Sequence, residues 1–265
     1  DAGERLPGVG EDPGGHLVGL ALGDRGRRAA ARDRHPPALV RPFDLARAPL
    51  LRTRLVTGAG GRGMLLMDWH HIIGDGTSMA ILIDDFCSLY EGDALEPLDI
   101  QYRDFSEWQN RLTRDGEIKR QENYWKEIFH DSRHLQPLVL PYDFPRPHAL
   151  QFDGDVYSFP VPPETAEAVR RLASETGATL FMTLLAGYYV LLHRYSRQDE
   201  IVVGTGLMGR PNPELEKLIG MFINSIAMRQ SITPSQSFKE FLSQVKQQCI
   251  HDFENQDLQF EELVN

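Results

Sequence analysis

The short apolar run Met64-Leu65-Leu66-Met67 lies just ahead of His70-His71-Ile72-Ile73-Gly74-Asp75-Gly76. A run of this length closed by glycines reads as a buried strand ending in a tight turn. Beyond the turn, Met79, Leu82, Ile83, Phe86, Leu89 and Tyr90 recur at helical spacing, with Ser78 as a capping residue and Glu91-Gly92 as the stop. Upstream, Leu51 to Val56 reads as a strand, joined by a Gly-rich hairpin turn over Gly58 to Gly63 to a second strand, Gly63 to Trp69. The pattern places an imidazole at a strand end with a carboxylate close by.

Further along, Tyr102 to Phe129 predicts a helical stretch interrupted near Asp115-Gly116. Leu135 to Pro147 carries Pro137, Pro141, Pro145 and Pro147, so it predicts an extended connection. We take it as the boundary between an N-terminal lobe, residues 41–140, and a C-terminal lobe, residues 141–265. In the second lobe, Asp155 to Val161 alternates like a strand and Pro163 to Thr176 predicts an amphipathic helix. Thr179 to Tyr195 predicts a strongly apolar, buried helix. Glu200 to Thr205 and Met221 to Met228 predict strands, and Ser237 to Phe253 a helix. Strands alternating with helices argue for an α/β protein. Residues 1–40 stand apart as an atypical lead-in, glycine-rich and without a dependable period, to be expected flexible or foreign to the domain.

The 265 residues carry a net charge of -10, which argues against a nucleic-acid partner. No apolar run approaches the roughly 20 residues of a membrane span. Cys87 and Cys249 form no metal-type pair and predict reduced thiols, and no secretory signal is read at the start of the sequence. A cytoplasmic location follows as an expectation.

His71 is the leading chemical candidate, because an imidazole accepts a proton near neutral pH. Asp75 either fixes its tautomer or holds the turn. Gly76 offers a backbone N–H for a developing oxyanion and a conformation that other residues would strain to reach. The bland alternative is a pair of histidines satisfied by backbone groups. A metal site from His70, His71 and Asp75 is a weak reading, since adjacent residues of a strand point to opposite faces; no metal is expected. Ser78, Ser106 and Ser225 lack a nucleophile elbow.

His70-His71-Ile72-Ile73-Gly74-Asp75-Gly76 resembles the HHxxxDG signature of the condensation domains of nonribosomal peptide synthetases. Further segments agree in the same order: Phe43-Asp44-Leu45 with Pro49-Leu50-Leu51-Arg52, Tyr102-Arg103-Asp104-Phe105-Ser106-Glu107-Trp108, Ile219-Gly220-Met221-Phe222-Ile223-Asn224-Ser225 with Arg229, and Asn255-Gln256-Asp257-Leu258-Gln259-Phe260-Glu261. The likeness runs from about Pro42 to Asn265. Two family motifs that normally precede Phe43, one of them carrying an arginine that pairs with the signature aspartate, are not visible in residues 1–40. The family's last motif does not follow the Gln256 segment either. The likeness therefore implies a domain incomplete at both ends, with no partner assigned to Asp75.

The resemblance implies an α/β fold of α+β two-layer sandwiches: two chloramphenicol-acetyltransferase-like lobes in a V shape around a central tunnel. It implies an amide-forming acyltransferase. The acceptor aminoacyl amine attacks a donor thioester, both held on phosphopantetheine arms of upstream and downstream peptidyl carrier proteins, beside an adenylation domain. No cofactor is bound directly. His71 with His70, Asp75 and Gly76 would form the catalytic group, with Asn224, Ser225 and Trp69 along the substrate tunnel. An epimerisation domain of the same superfamily is the near alternative. A non-catalytic docking module for a carrier protein or tailoring enzyme is the alternative of another class.

Overall fold

The structure, a computed structural model, describes residues 15–22, 41–57, 63–145, 149 and 155–264, with the backbone alone for Gly15–Leu22. The predicted hairpin turn over 58–62 lies outside the described residues, as do 146–148 of the proline-rich connection. The architecture is mixed α/β. The described residues pack as two compact units, drawn from residues 1–109 with 208–223 and from 110–207 with 224–265.

In the first unit, strands β1 (Gly15–Leu22), β2 (Leu51–Thr57) and β3 (Gly63–His70) form an antiparallel sheet in the order β1-β3-β2. Leu65 of β3 faces Leu20 on one side and Leu55 on the other. β3 is thus paired along both edges, and its second half, Leu66 to His70, is buried without alternation. Within the lead-in, Leu17 to Leu22, the one stretch there with strand- or helix-like apolar content, falls on β1, which pairs along the whole of β3. Helix α1 (Gly76–Glu91) follows the histidine turn and ends at Gly92 in the left-handed region. Its N-cap is Asp75 rather than Ser78, because the Asp75 carboxylate accepts the Ser78 N–H at 2.8 Å. A small core gathers Phe105, Leu215, Leu218 and Phe222.

The predicted helical stretch 102–129 divides as expected, into α2 (Tyr102–Arg114) and α3 (Lys119–Ile128), with Gly116 at φ 76° between them. The second unit adds α4 (Pro163–Thr176), α5 (Leu180–Ser196), β4 (Glu200–Leu207), β5 (Asn224–Ser231), α6 (Phe238–Glu254) and α7 (Phe260–Val264). β4 and β5 pair antiparallel, with Leu207 opposite Asn224. Tyr189, Met228, Leu242, Val245 and Trp125 fill the core between the helices and this ladder.

Three expectations change. The units do not follow a 140/141 division: Trp125 on α3 is buried in the second core, and residues 208–223 pack with the first unit. α5 is buried on one face only. Met182, Leu185, Ala186 and Tyr189 point inward, while Leu184, Tyr188, Leu191 and Tyr195 are exposed. Residues 155–161 are not a strand. Their alternation is present, but no strand lies beside them among the described residues, and Tyr157 is 88% exposed.

Candidate functional site

β3 delivers Asp68, Trp69 and His70 to its C-terminal end, where a single 3-10 turn, His71–Ile73, turns the chain toward α1. The two histidines then part. His70 is buried, and its Nδ1 accepts the Ile72 N–H at 3.0 Å, which leaves a neutral ring its proton on Nε2. Phe43 meets the His70 ring edge-on at 6.0 Å, and the Arg52 guanidinium lies 3.6 Å over Phe43. Arg52 also pairs with Asp68 at 3.2 Å and donates to the carbonyls of Arg41 and Pro42. The Phe43 and Arg52 segments therefore brace His70 from behind. Burial pushes the Asp68 carboxyl above its ordinary value, and Arg52 only partly offsets this. His71, by contrast, is half-buried and is the first residue of the turn.

Asp75 lies beneath the turn, with its side chain 1% exposed. Its Oδ1 accepts from the Ser78 N–H (2.8 Å), the Ser78 hydroxyl (2.8 Å) and Arg210 Nη2 (3.1 Å). Its Oδ2 accepts from Arg210 Nη1 (2.7 Å) and the Phe222 N–H (3.2 Å). Burial raises the Asp75 carboxyl, yet these donors, Arg210 foremost, outweigh it and hold the group below the usual carboxylate value. Asp75 is thus a structural anion. Its oxygens are occupied, so the His70, His71 and Asp75 set has no carboxylate to offer a metal.

Arg210 is the partner that sequence reading sought upstream and did not find. It sits downstream, in the segment after β4, and it also donates to Ser78 Oγ and the Leu218 carbonyl. Phe222 lies 4.1 Å under its guanidinium. Arg210 Nε is buried with no hydrogen-bond partner among the described residues. Gly209 makes the approach possible: it sits at φ 63°, and a Cβ there would fall 1.7 Å from the Phe222 carbonyl oxygen. Gly220 packs so closely on Tyr102 that a Cβ would lie 2.0 Å from the ring, while the Tyr102 hydroxyl donates to the Met221 carbonyl at 2.8 Å. Ser78, fully buried, shares its proton between Asp75 and the Gly220 carbonyl and accepts the Gly220 N–H. The signal for this network was the Ile219-Gly220-Met221-Phe222 segment; Arg210 itself stands in no quoted motif.

The other expected site residues fare differently. Gly76 is the first residue of α1, so its N–H has no acceptor within the helix. It is not there to relieve strain, because a Cβ would meet nothing within 4 Å. Trp69 is 3% exposed and wedged beneath Gly74, where a Cβ would come 2.7 Å from the indole. It supports the turn rather than lining open space. In the second unit, Asn224 gives its amide N–H groups to the carbonyls of Gln256 and Leu258, and its oxygen accepts the Ser225 N–H. Gln121 clamps the same turn through Asp257 and Leu258. Asn224 is thereby a pin for the 256–258 turn, while Ser225 is exposed.

A family model described as condensation domain matches residues 27–265, beginning inside the lead-in read as atypical. Tyrocidine synthase 3 of Brevibacillus parabrevis is 45% identical over 226 residues, which is 85% of this chain and 4% of that protein. Gramicidin S synthase 2 of Aneurinibacillus migulanus is 46% identical over 227 residues, 86% of this chain and 5% of that protein. The chain thus spans about one twentieth of the length of these curated relatives. Among solved structures, the first condensation domain of the calcium-dependent antibiotic synthetase, in complex with a substrate analogue, matches at a TM-score of 0.65 and 27% identity, over 84% of this chain and 50% of that one. The X-domain from teicoplanin biosynthesis matches at 0.74 and 25%, over 84% and 52%.

Proposed function

Because the chain belongs to the condensation-domain family, we propose that its histidine turn serves amide formation between two carrier-bound thioesters. The amine nitrogen of the acceptor aminoacyl group attacks the carbonyl carbon of the donor thioester, the carbon–sulfur bond breaks, and the thiol leaves with a proton. His71 takes the proton of the attacking amine or orients it, and no covalent bond to the protein forms. Holding both thioester-bound groups in reach contributes alongside proton transfer. The Gly76 N–H, at the positive end of α1, faces the charge that develops on the carbonyl oxygen. His70, Asp75, Ser78 and Arg210 position this machinery.

The observation that carries the reading is the contrast between the histidines: His70 is buried and braced by Phe43, while His71 stays half-buried in a turn whose carboxylate, Asp75, is held by Arg210, Ser78 and the Phe222 N–H. The two V-shaped lobes with a tunnel, Ser225 along that tunnel, phosphopantetheine arms of flanking carrier proteins, a neighbouring adenylation domain and a cytoplasmic setting belong to the same proposal. Their support is the likeness to multidomain synthetases, including a four-domain nonribosomal peptide synthetase matched at a TM-score of 0.72 and 27% identity.

A second reading, a docking module without catalysis, draws on the X-domain, which is solved in complex with OxyB and matches at a TM-score of 0.75. One experiment separates the two. Donor and acceptor carrier proteins are loaded, the chain is added, and dipeptidyl thioester is followed by mass spectrometry. Product from the wild type, lost in His71→Ala, supports condensation. Product unchanged in His71→Ala sinks the role of His71, and no product from either protein favours docking.

A further inference from the structure

The second unit contains a cavity of about 470 Å³ unrelated to the histidine turn, within the range of small-molecule sites, roughly 300–1,000 Å³. One wall is the C-terminal end of α5, with His193, Arg194 and Arg197; the other is the β5–α6 connection and the first turn of α6, with Phe238 and Phe241. From these walls we infer a binding site for a small organic oxyanion, a phosphate or carboxylate group carried on an apolar body.

Three observations converge. Arg194, in the last turn of α5, and Arg197, its C-cap, are both exposed on the cavity rim, and neither guanidinium makes a hydrogen bond or ion pair among the described residues. This holds in a chain whose Asp and Glu outnumber its Lys and Arg, 38 to 28. A pair of cations on one rim offers the forked donors that an oxyanion accepts in pairs.

Arg197 also occupies the left-handed C-cap of α5, at φ 63° and ψ 21°. It is the only residue other than glycine at positive φ among the described residues. Glycine fills such a position without strain, as Gly92 and Gly177 do at the ends of α1 and α4. An arginine tolerates the strained cap and in return sets its guanidinium at the cavity wall; strain of this kind gathers at functional positions.

The opposite wall supplies the rest. The first turn of the 17-residue α6 presents the positive end of its dipole. Phe238, Phe241, Val190 and Ile232 offer an apolar surface behind it. Of the carboxylates nearby, Glu240 is engaged by the Ser237 N–H and hydroxyl, while Asp199, its side chain 63% exposed, lies 3.4 Å from His193 Nδ1.

The test is calorimetric titration of the whole chain with phenyl phosphate and with inorganic phosphate, on wild type, Arg194→Gln and Arg197→Gly. Arg197→Gly relieves the cap, so its melting temperature should stay level or rise, which separates binding from folding. The expected result is saturable phenyl phosphate binding, weakened on the order of tenfold in each variant, with inorganic phosphate weaker throughout. No binding of phenyl phosphate by the wild type up to millimolar concentration, or equal binding by Arg197→Gly, overturns the site. Equal affinity for the two probes overturns the apolar part of it.

Discussion

Arg210 grips both carboxylate oxygens of Asp75, at 2.7 and 3.1 Å, across 135 positions of sequence. Both side chains are nearly closed to solvent, 3% and 1% exposed. Removing one member of such a pair leaves the other buried and uncompensated, which costs about 3–5 kcal/mol. Arg210→Ala should therefore lower unfolding free energy by that order in a urea titration and, under the proposed function, should abolish condensation before it abolishes folding at low temperature. Arg210→Lys should recover only part of either loss, because an ammonium cannot fork across two oxygens and also reach Ser78.

Acid should act through the same pair. The folded Asp75 carboxyl sits below its ordinary value, so its contribution is fully present above about pH 4–5 and is lost as pH falls through the folded value. Wild type should thus lose stability below about pH 4 more steeply than Asp75→Asn, which starts lower and changes less. Parallel acid unfolding curves for the two proteins would refute the linkage.

A buried carboxyl in the second unit should respond in the opposite sense. Asp252 on α6 is fully buried; its Oδ1 accepts from Tyr124 and Gln248, while Oδ2 has no partner among the described residues. Burial pushes this group up, and the hydrogen bonds from Tyr124 and Gln248 offset only part of the rise. The stabilisation is present below the ordinary carboxylate value and is lost as pH rises through the folded value. Asp252→Asn removes that titration, so its stability should be flatter than that of wild type from about pH 4 upward. Denaturant midpoints at several pH values would show it; equal slopes would not.

The glycines offer a sharp contrast. Gly220→Ala drives a methyl group into the Tyr102 ring, and should destabilise by roughly 1–3 kcal/mol, loosening Arg210 with it. Gly76→Ala meets nothing within 4 Å and should be within about 1 kcal/mol of wild type. Thermal melts of the two variants provide the comparison. A Gly76→Ala protein that melts like Gly220→Ala would mean that the turn depends on glycine conformation after all.

The helices were readable because their signals are local. Pro163 to Thr176 closes on Gly177 as its period demands, and Gly116 breaks the 102–129 stretch where expected. The Asp75 cap was displaced by three residues in the sequence reading, because Asp75 and Ser78 both qualify as caps by residue type. Only the folded contacts decide which oxygen accepts. Arg210 escaped for a stronger reason. Its meaning lies in a long-range contact, and a lone arginine after a strand has no periodicity to betray it. The same holds for residues 155–161, whose alternation is local while strand pairing is not.

The position of β3 between two partners has a consequence for the histidines it delivers. Sliding that strand by one residue would exchange the sides of Trp69 and His70 and carry His71 with them. Such a slip would have to break the ladders to Gly15–Leu22 and to Leu51–Thr57 together. The aim of the imidazole is therefore fixed by backbone pairing on either side, and a lesion in Gly15–Leu22, far ahead of the signature, would be felt as a loss of alignment at His71.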